Sequence, residues 1–399
     1  MRKSIRIQGS LGLIAILFHV GTAKSQVSGQ PGAVKPLSAQ MASTAMEIWQ
    51  EGPPRWSYDQ GVVLDGIEGL WRRTGNTEYF RFIQKSMDKF ISEDGTIATY
   101  EQDHFNIDNV KNGCSLLTLY KETGQQKYLK AATQLWDQLH VQPRTTDGGF
   151  WHKKIYPNQM WLDGLYMGEP FYARYAAMVN DKPAFGDIAK QFILMEKHAR
   201  DAKTGLLYHG WDESKVQKWA DSKSGLSPHV WARAMGWYGM ALVDVLQNFP
   251  LEHPKRKALL AILNRFAVAV KKVQEPKSGL WYDIIDRPQG KGNYFESSAS
   301  AMFVYALAKG VRKGYLPASF LETAKIGYKG MQDTFIEKRA DGQVNLKGTV
   351  SVSGLGGKPY RDGSFEYYMS EKVITNDPKG VGAFIMAANE MEQQLNIKY

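Results

Sequence analysis

Along most of the chain apolar residues recur at i, i+3, i+4 and i+7, as they do over residues 258–270, and strand-type alternation is scarce. This period predicts an all-α protein. The helical stretches come in pairs joined by short breaks. Residues 64–73 run into Thr74-Gly75-Asn76 and resume at Glu78, and residues 109–122 run into Thr123-Gly124-Gln125 and resume at Lys127. Further pairs cover 164–195, with a break at Asn180-Asp181-Lys182-Pro183, then 233–270, with a break over 248–254, and 298–328, with a break at Lys313-Gly314-Tyr315. A last helix is expected over 381–395. Corresponding helices lie roughly 50 to 65 residues apart, more than in the common two-helix solenoids, which leaves room for a large loop in each unit.

Counting the unit that begins near Met41, the pattern gives about five complete helix pairs and a terminal portion able to close a ring. Six pairs around a central axis are therefore expected. An open solenoid would end in polar caps, whereas the stretch Val381-Gly382-Ala383-Phe384-Ile385-Met386-Ala387-Ala388 is small and apolar, as packing against neighbours requires. No Pro/Gly/Ser-rich linker divides residues 40–399, so they are read as one domain.

The first residues alter the picture at one end only. Arg2, Lys3 and Arg6, an apolar stretch over 11–20 and the small residues Gly21-Thr22-Ala23 have the form of a signal peptide over 1–23, too short for a stable membrane anchor. Export to the periplasm or beyond is expected, with a flexible leader over 24–39. A lone cysteine, Cys114, cannot form an internal disulfide and sits in an apolar pattern, where it reads as a small buried side chain. The formal charge of +10 favours polyanions. Its basic residues are dispersed and form no recognised nucleic-acid motif, so no nucleic-acid partner is expected. An acidic polysaccharide fits the same charge, and so does an ordinary solvated surface.

Aromatic, charged and glycine residues cluster in the loops, where one helix pair hands over to the next. The clusters are Phe105-Asn106-Ile107-Asp108-Asn109, Gly148-Gly149-Phe150-Trp151-His152, the segment from Met160 to Glu169, Leu207-Tyr208-His209-Gly210-Trp211-Asp212, and His229-Val230-Trp231-Ala232-Arg233-Ala234-Met235-Gly236-Trp237. In a ring of helix pairs they would gather at one rim. Asp163 and Asp108 each stand at a helix start, where an Asp commonly serves as an N-cap. Aromatic and Met neighbours would also desolvate Asp163 and raise its pKa toward that of a general acid, and two carboxyls in different surroundings can divide acid and base roles. Arg233, on an otherwise apolar helix, needs a partner. Either a sugar carboxylate gripped by its guanidinium fork or a structural ion pair with a loop Asp would serve. His152 and His209 are each weak signals by themselves, since a lone loop His is more often a hydrogen-bonding residue than a catalyst. The zinc-protease, Walker and dinucleotide motifs are missing from the sequence, and no metal or cofactor is expected.

Taken in order, Met160-Trp161-Leu162-Asp163-Gly164-Leu165-Tyr166-Met167, Trp231-Ala232-Arg233-Ala234-Met235-Gly236-Trp237 and Tyr360-Arg361-Asp362-Gly363-Ser364-Phe365-Glu366-Tyr367-Tyr368 resemble the unsaturated rhamnogalacturonyl hydrolases of glycoside hydrolase family 105. The resemblance runs from Trp56-Ser57-Tyr58 to the segment Asn376-Asp377-Pro378-Lys379-Gly380-Val381-Gly382. It implies a six-hairpin (α/α)6 barrel and removal of the terminal 4,5-unsaturated uronic acid that a polysaccharide lyase leaves on an oligosaccharide, by hydration of its double bond. On this resemblance Asp163 protonates C4 and then helps activate water for C5, and Asp108 supports that chemistry or holds the substrate. Tyr58, His152, Trp161, Met167, His209, Trp231, Arg233 and Trp237 would line the site, and Trp211 is a further candidate for an outer subsite. Three rivals differ in chemistry. An inverting glycosidase needs two carboxylates about 6.5–9.5 Å apart, a sugar 2-epimerase would rely on His152 or His209, and a glycan-binding protein would bind without turnover.

Overall fold

The computed structural model describes residues 35–397. The helix α1 covers Leu37–Ile48, and five hairpins follow: α2 (Tyr58–Thr74) with α3 (Thr77–Asp88), α4 (Gly113–Thr123) with α5 (Gln126–Val141), α6 (Leu162–Val179) with α7 (Lys182–Ala199), α8 (Ala232–Asn248) with α9 (Arg256–Lys272), and α10 (Ser297–Arg312) with α11 (Phe320–Thr334). A short α12 (Phe365–Ser370) precedes α13 (Pro378–Gln394). The two near-identical breaks end their helices by the same means: Gly75 and Gly124 adopt left-handed φ of 69° and 70°, and each returns its N–H to the last turn. A side chain there would meet the Cβ clash that glycine escapes.

The first helix of each hairpin faces inward. Neighbours run α2, α4, α6, α8, α10, α13 and back to α2, which closes the (α/α)6 ring. Burial follows position. The inner helix α10 buries every residue from Ser297 to Gly310, whereas the outer helix α9 buries a stripe that includes Leu259, Ile262, Leu263, Phe266 and Val270. Between α2 and α13 the backbones come so close that a Cβ on Gly382 would lie 2.5 Å from the Val62 carbonyl oxygen.

The sixth pair joins the two ends of the chain. α1 packs outside α13 and donates from the Ser38 amide to Glu392 at 2.9 Å. It therefore belongs to the last hairpin and does not open the first. Residues 37–39, expected in the leader, are helical because Ala39, Met41, Ala42 and Ala45 give α1 an apolar face to bury. The signal segment 1–23 and leader residues 24–34 lie outside the described residues. No described helix is long and apolar enough to cross a membrane, and Cys114 is buried. Among the described residues, strands are confined to three two-stranded antiparallel ribbons: β1 (Gln159–Trp161) with β2 (Gly210–Asp212), β3 (Ile336–Lys338) with β4 (Val344–Leu346), and β5 (Thr349–Val350) with β6 (Val373–Ile374).

Candidate active site

Amides in the first turn of a helix have no acceptor within it and need one from outside. Here the neighbouring loop supplies it. The His209 carbonyl accepts from Leu162 N at the head of α6 (3.1 Å), the Asp283 carbonyl from Ala232 N at the head of α8 (2.8 Å), and the Gly348 carbonyl from Ser297 N at the head of α10 (2.9 Å). The 3-10 turn Ile107–Val110 leading into α4 receives the His152 carbonyl on Ile107 N at 3.2 Å. The residues that close these helix heads thus include His152, His209 and Asp283, so one backbone device also delivers titratable side chains to one rim.

Asp163 is the second residue of α6. The cap position falls on Trp161, which makes no side-chain cap bond. The capping role that a helix-start Asp suggests is filled by the His209 carbonyl instead, and the Asp163 carboxylate stands 3.2 Å from His209 Nε2. Its side chain keeps 14% exposure against none for His209, so a ligand can reach it. The far nitrogen of His209, Nδ1, lies 2.8 Å from the Tyr368 hydroxyl on α12. Burial, reinforced by Tyr367 and by the Asp283 and Asp163 carboxylates, raises the Tyr368 phenol well above its ordinary value, so it keeps its proton.

Asp108 is not a cap either; Asn106 Oδ1 accepts from the Asp108 amide at 3.1 Å and does that work. The Asp108 carboxylate lies 2.6 Å from Lys153 Nζ and 3.3 Å from His152 Nε2. Burial would raise its pKa, but the Lys153 ammonium and then His152 outweigh burial and hold it below the usual carboxylate range. Burial also drives His152 down to about 4 against the pull of Asp108, so its ring is neutral near pH 7. Each of two carboxyls therefore faces an imidazole, but only Asp108 has a lysine against it. Lys153 escapes sequence reasoning because a lysine in a polar loop looks like solvated charge; its adjacency to His152 is the single available signal.

The aromatic residues divide into groups. Trp161 stacks on His152 (4.5 Å, 15°) and Tyr156 (4.8 Å, 23°) and meets His209 edge-on at 5.5 Å. Trp231 tilts against His209 at 4.8 Å and donates Nε1 to Asp283 at 2.9 Å. Tyr58, the half-buried first residue of α2, feels the charges of Asp59, Asp108, Arg233 and Asp163; burial foremost raises its phenol well above the ordinary value. Met167 and Trp237 stand one turn below Asp163 and Arg233, both buried, and Trp237 stacks on Tyr166 (4.9 Å, 18°), which places them under the rim as its floor.

Two expectations need correction. Trp211 stacks on His198 (3.7 Å, 9°), gives Nε1 to the Ser224 carbonyl and is 6% exposed, so its ring offers no platform for an outer subsite. Arg233 is fully buried. It donates Nε to Ser298 Oγ (2.7 Å) and one Nη to Glu296 (3.2 Å) and to the Val350 carbonyl. The ion-pair reading holds, with Glu296 at the α10 N-cap as the partner in place of a loop Asp. A two-nitrogen grip on a sugar carboxylate would have to break these bonds.

A cavity of about 320 Å3 opens at the opposite end of the barrel, where the inner helices finish. Its charges answer one another: Arg174 with Glu68 (3.4 Å), Lys309 with Asp244 (2.6 Å) and Arg312 with Glu390 (2.6 Å). Cations there also offset the negative ends of the helix dipoles. The helix heads carry the opposite sign and favour an anion.

Asp283 makes this rim sensitive to pH. Burial, then the Glu296 carboxylate, raise its pKa to about 8 against the pull of Arg233. The folded protein thus holds a proton that the unfolded chain, with a value of about 3.9, gives up. This contribution to stability is whole below about pH 4 and is lost as pH rises toward about 8. Asp283→Asn keeps an acceptor for Trp231 and abolishes the titration. Urea unfolding of this variant should lose less stability between about pH 5 and 8 than the parent; equal losses would clear Asp283 of the effect.

The family model described as Glycosyl Hydrolase Family 88 matches residues 37–395. A solved glycoside hydrolase of family 105 from C. acetobutylicum ATCC 824 is 49% identical, covers 90% of this chain and 100% of its own, and superimposes with a TM-score of 0.88. The unsaturated rhamnogalacturonyl hydrolase YesR of Bacillus subtilis is 30% identical over 258 residues, 63% of this chain and 70% of that protein. A 24.9 kDa protein in the picA locus of Rhizobium radiobacter is 38% identical over 237 residues, 56% of this chain and 97% of its own. A match over nearly every described residue, on a closed ring of six helix pairs, means that the chain belongs to Glycosyl Hydrolase Family 88 and is a glycoside hydrolase of the family 105 kind.

Proposed function

We propose that the enzyme removes a terminal 4,5-unsaturated uronic acid from lyase-generated oligosaccharides of pectin or related acidic glycans, by adding water across C4=C5. The observation that carries this reading is the pair of unlike carboxyls at one rim. Asp108 is anionic under Lys153, while Asp163 is reachable, lies 3.2 Å from the His209 ring and has no lysine paired with it. Asp163 gives a proton to C4, the cation that develops at C5 next to the ring oxygen is captured by water, and Asp163 takes a proton from that water. The resulting hemiketal opens and the remaining sugar leaves. One carboxyl can serve as acid and then base because the two transfers are sequential. Asp108, fixed as an anion, supports the positive charge developing in the ring. The convergent helix heads favour the uronate carboxylate. The basic start and apolar stretch within residues 1–23 support a site of action outside the cytoplasm.

The test is direct. Unsaturated oligosaccharides made by lyases from pectin, ulvan and glycosaminoglycans absorb in the ultraviolet through the conjugated double bond, and the protein should extinguish that band for at least one of them. Persistence of the band in all three, with release of nitrophenol from saturated nitrophenyl glycosides, would replace this reading with that of an inverting glycosidase.

A further inference from the structure

Two buried polar atoms beneath the rim have no hydrogen-bond partner: His152 Nδ1 and Glu169 Oε2. Both residues line the same small cavity, about 10 Å3, walled also by Ile107, Gly164, Leu165 and Gln191. Two orphaned atoms on one cavity are costly unless something bridges them. The space suits a single water molecule, which needs on the order of 10–15 Å3 and polar partners. Gly164 keeps it open, since a Cβ there would lie 3.0 Å from His152 Nδ1.

We propose that one water molecule lodges between Glu169 and His152, and that Glu169 is a positioning residue that decides which nitrogen of His152 carries the hydrogen. Glu169 is 1% exposed on α6, six residues beyond Asp163. Burial, aided by Asp187 and opposed by Arg144, raises its carboxyl well above the ordinary value, so it is a donor. Its charged surroundings are that Asp187–Arg144 pair (2.7 Å), with the Tyr172 phenol donating to Asp187 at 3.3 Å. The groups acting on His152 are Asp108, Lys153, Asp163 and His209. The carboxylic acid donates to the water and the water donates to Nδ1. The ring hydrogen therefore sits on Nε2, the nitrogen that lies 3.3 Å from Asp108 Oδ1. The other tautomer would aim a lone pair at the Asp108 carboxylate and weaken the anion that Lys153 and His152 together maintain. The kinetic consequence rests on the reading of Asp108 given above; the tautomer does not.

Nitrogen-15 NMR of the full-length protein, with His152 assigned through His152→Gln, reads the tautomer without substrate. Nδ1 should be pyridine-like and Nε2 pyrrole-like, in the parent and in Glu169→Gln, whose amide can still donate. In Glu169→Leu the tautomers should mix or exchange. Turnover of the unsaturated substrate should stay within about threefold in Glu169→Gln and fall by more than about tenfold in Glu169→Leu, with a displaced pH profile and a smaller change in KM. A protonated Nδ1 in the parent, or a Glu169→Gln variant as impaired as Glu169→Leu, would overturn the proposal. If Glu169→Leu does not fold, the parent and Glu169→Gln spectra decide. If the parent consumes no unsaturated substrate, the proposed function fails while the ring spectrum still judges Glu169.

Discussion

Replacing Asp163 with Asn is expected to cut turnover of the unsaturated substrate by about a thousandfold, the middle of the range by which a positioned proton donor accelerates a reaction. The fold should survive. Asp163 makes no cap bond, the head of α6 is held by the His209 carbonyl, and an amide has nearly the shape of a carboxyl. What stability is lost is the attraction of one carboxylate to the positive end of a helix, about 0.3–1 kcal/mol. Binding should change less than turnover, because an Asn can still face His209 at 3.2 Å but has no proton to give to C4. Steady-state kinetics and a urea melt on the same preparation separate the two effects. Parental turnover would remove Asp163 from the mechanism, and a melt shifted by several kcal/mol would make the loss of activity a folding defect.

The parts of this molecule legible in the sequence are those written in local chemistry. The hairpin breaks were legible at Gly75 and Gly124 because a helix end is a local event with its own residue preference. The inner helices announced themselves through small apolar residues, as in 381–388, because a helix wrapped by neighbours has no polar face. The pairing of α1 with α13 was beyond reach, since it joins elements more than three hundred residues apart. Within the site, Asp163, Asp108, His152, His209 and Trp231 could be singled out because unusual residues gathered at helix starts and in the loops between helix pairs. Lys153, Tyr368, Asp283, Glu296 and Glu169 could not, because each matters only through a partner that the chain places far away or across a cavity. Glu296 lies 63 residues from the arginine it neutralises, and Tyr368 lies 159 residues from the ring it holds. Trp211 shows the opposite error: a tryptophan among sugar-site motifs whose ring is spent on His198.

The second large effect is expected at Arg233, on stability more than on chemistry. The Glu296 carboxylate accepts from Arg233 Nη (3.2 Å), Val350 N (3.0 Å), Ser298 Oγ (2.7 Å) and Ala299 N (2.7 Å), and so ties the heads of α8 and α10 to strand β5. Both partners of the ion pair are almost wholly buried. Arg233→Met would leave that carboxylate in the interior beside Asp283 with its cation gone, at a cost of about 3–5 kcal/mol, a large part of the roughly 5–15 kcal/mol that holds a domain folded. Arg233→Lys keeps the charge but cannot reach Ser298, Glu296 and Val350 with one fork, so its loss should be intermediate. The decisive comparison is the double variant Arg233→Met/Glu296→Gln. A neutral amide no longer needs the cation, and although its nitrogen cannot accept from Val350 N or Ala299 N as one carboxylate oxygen does, the removed charge outweighs that loss, so the double variant should be more stable than Arg233→Met alone, as denaturant unfolding can measure. Losses that simply add would mean that the two side chains act independently. Recovery in the double variant would instead show that this side of the rim is built on a paired charge, in which Arg233 is there to neutralise Glu296.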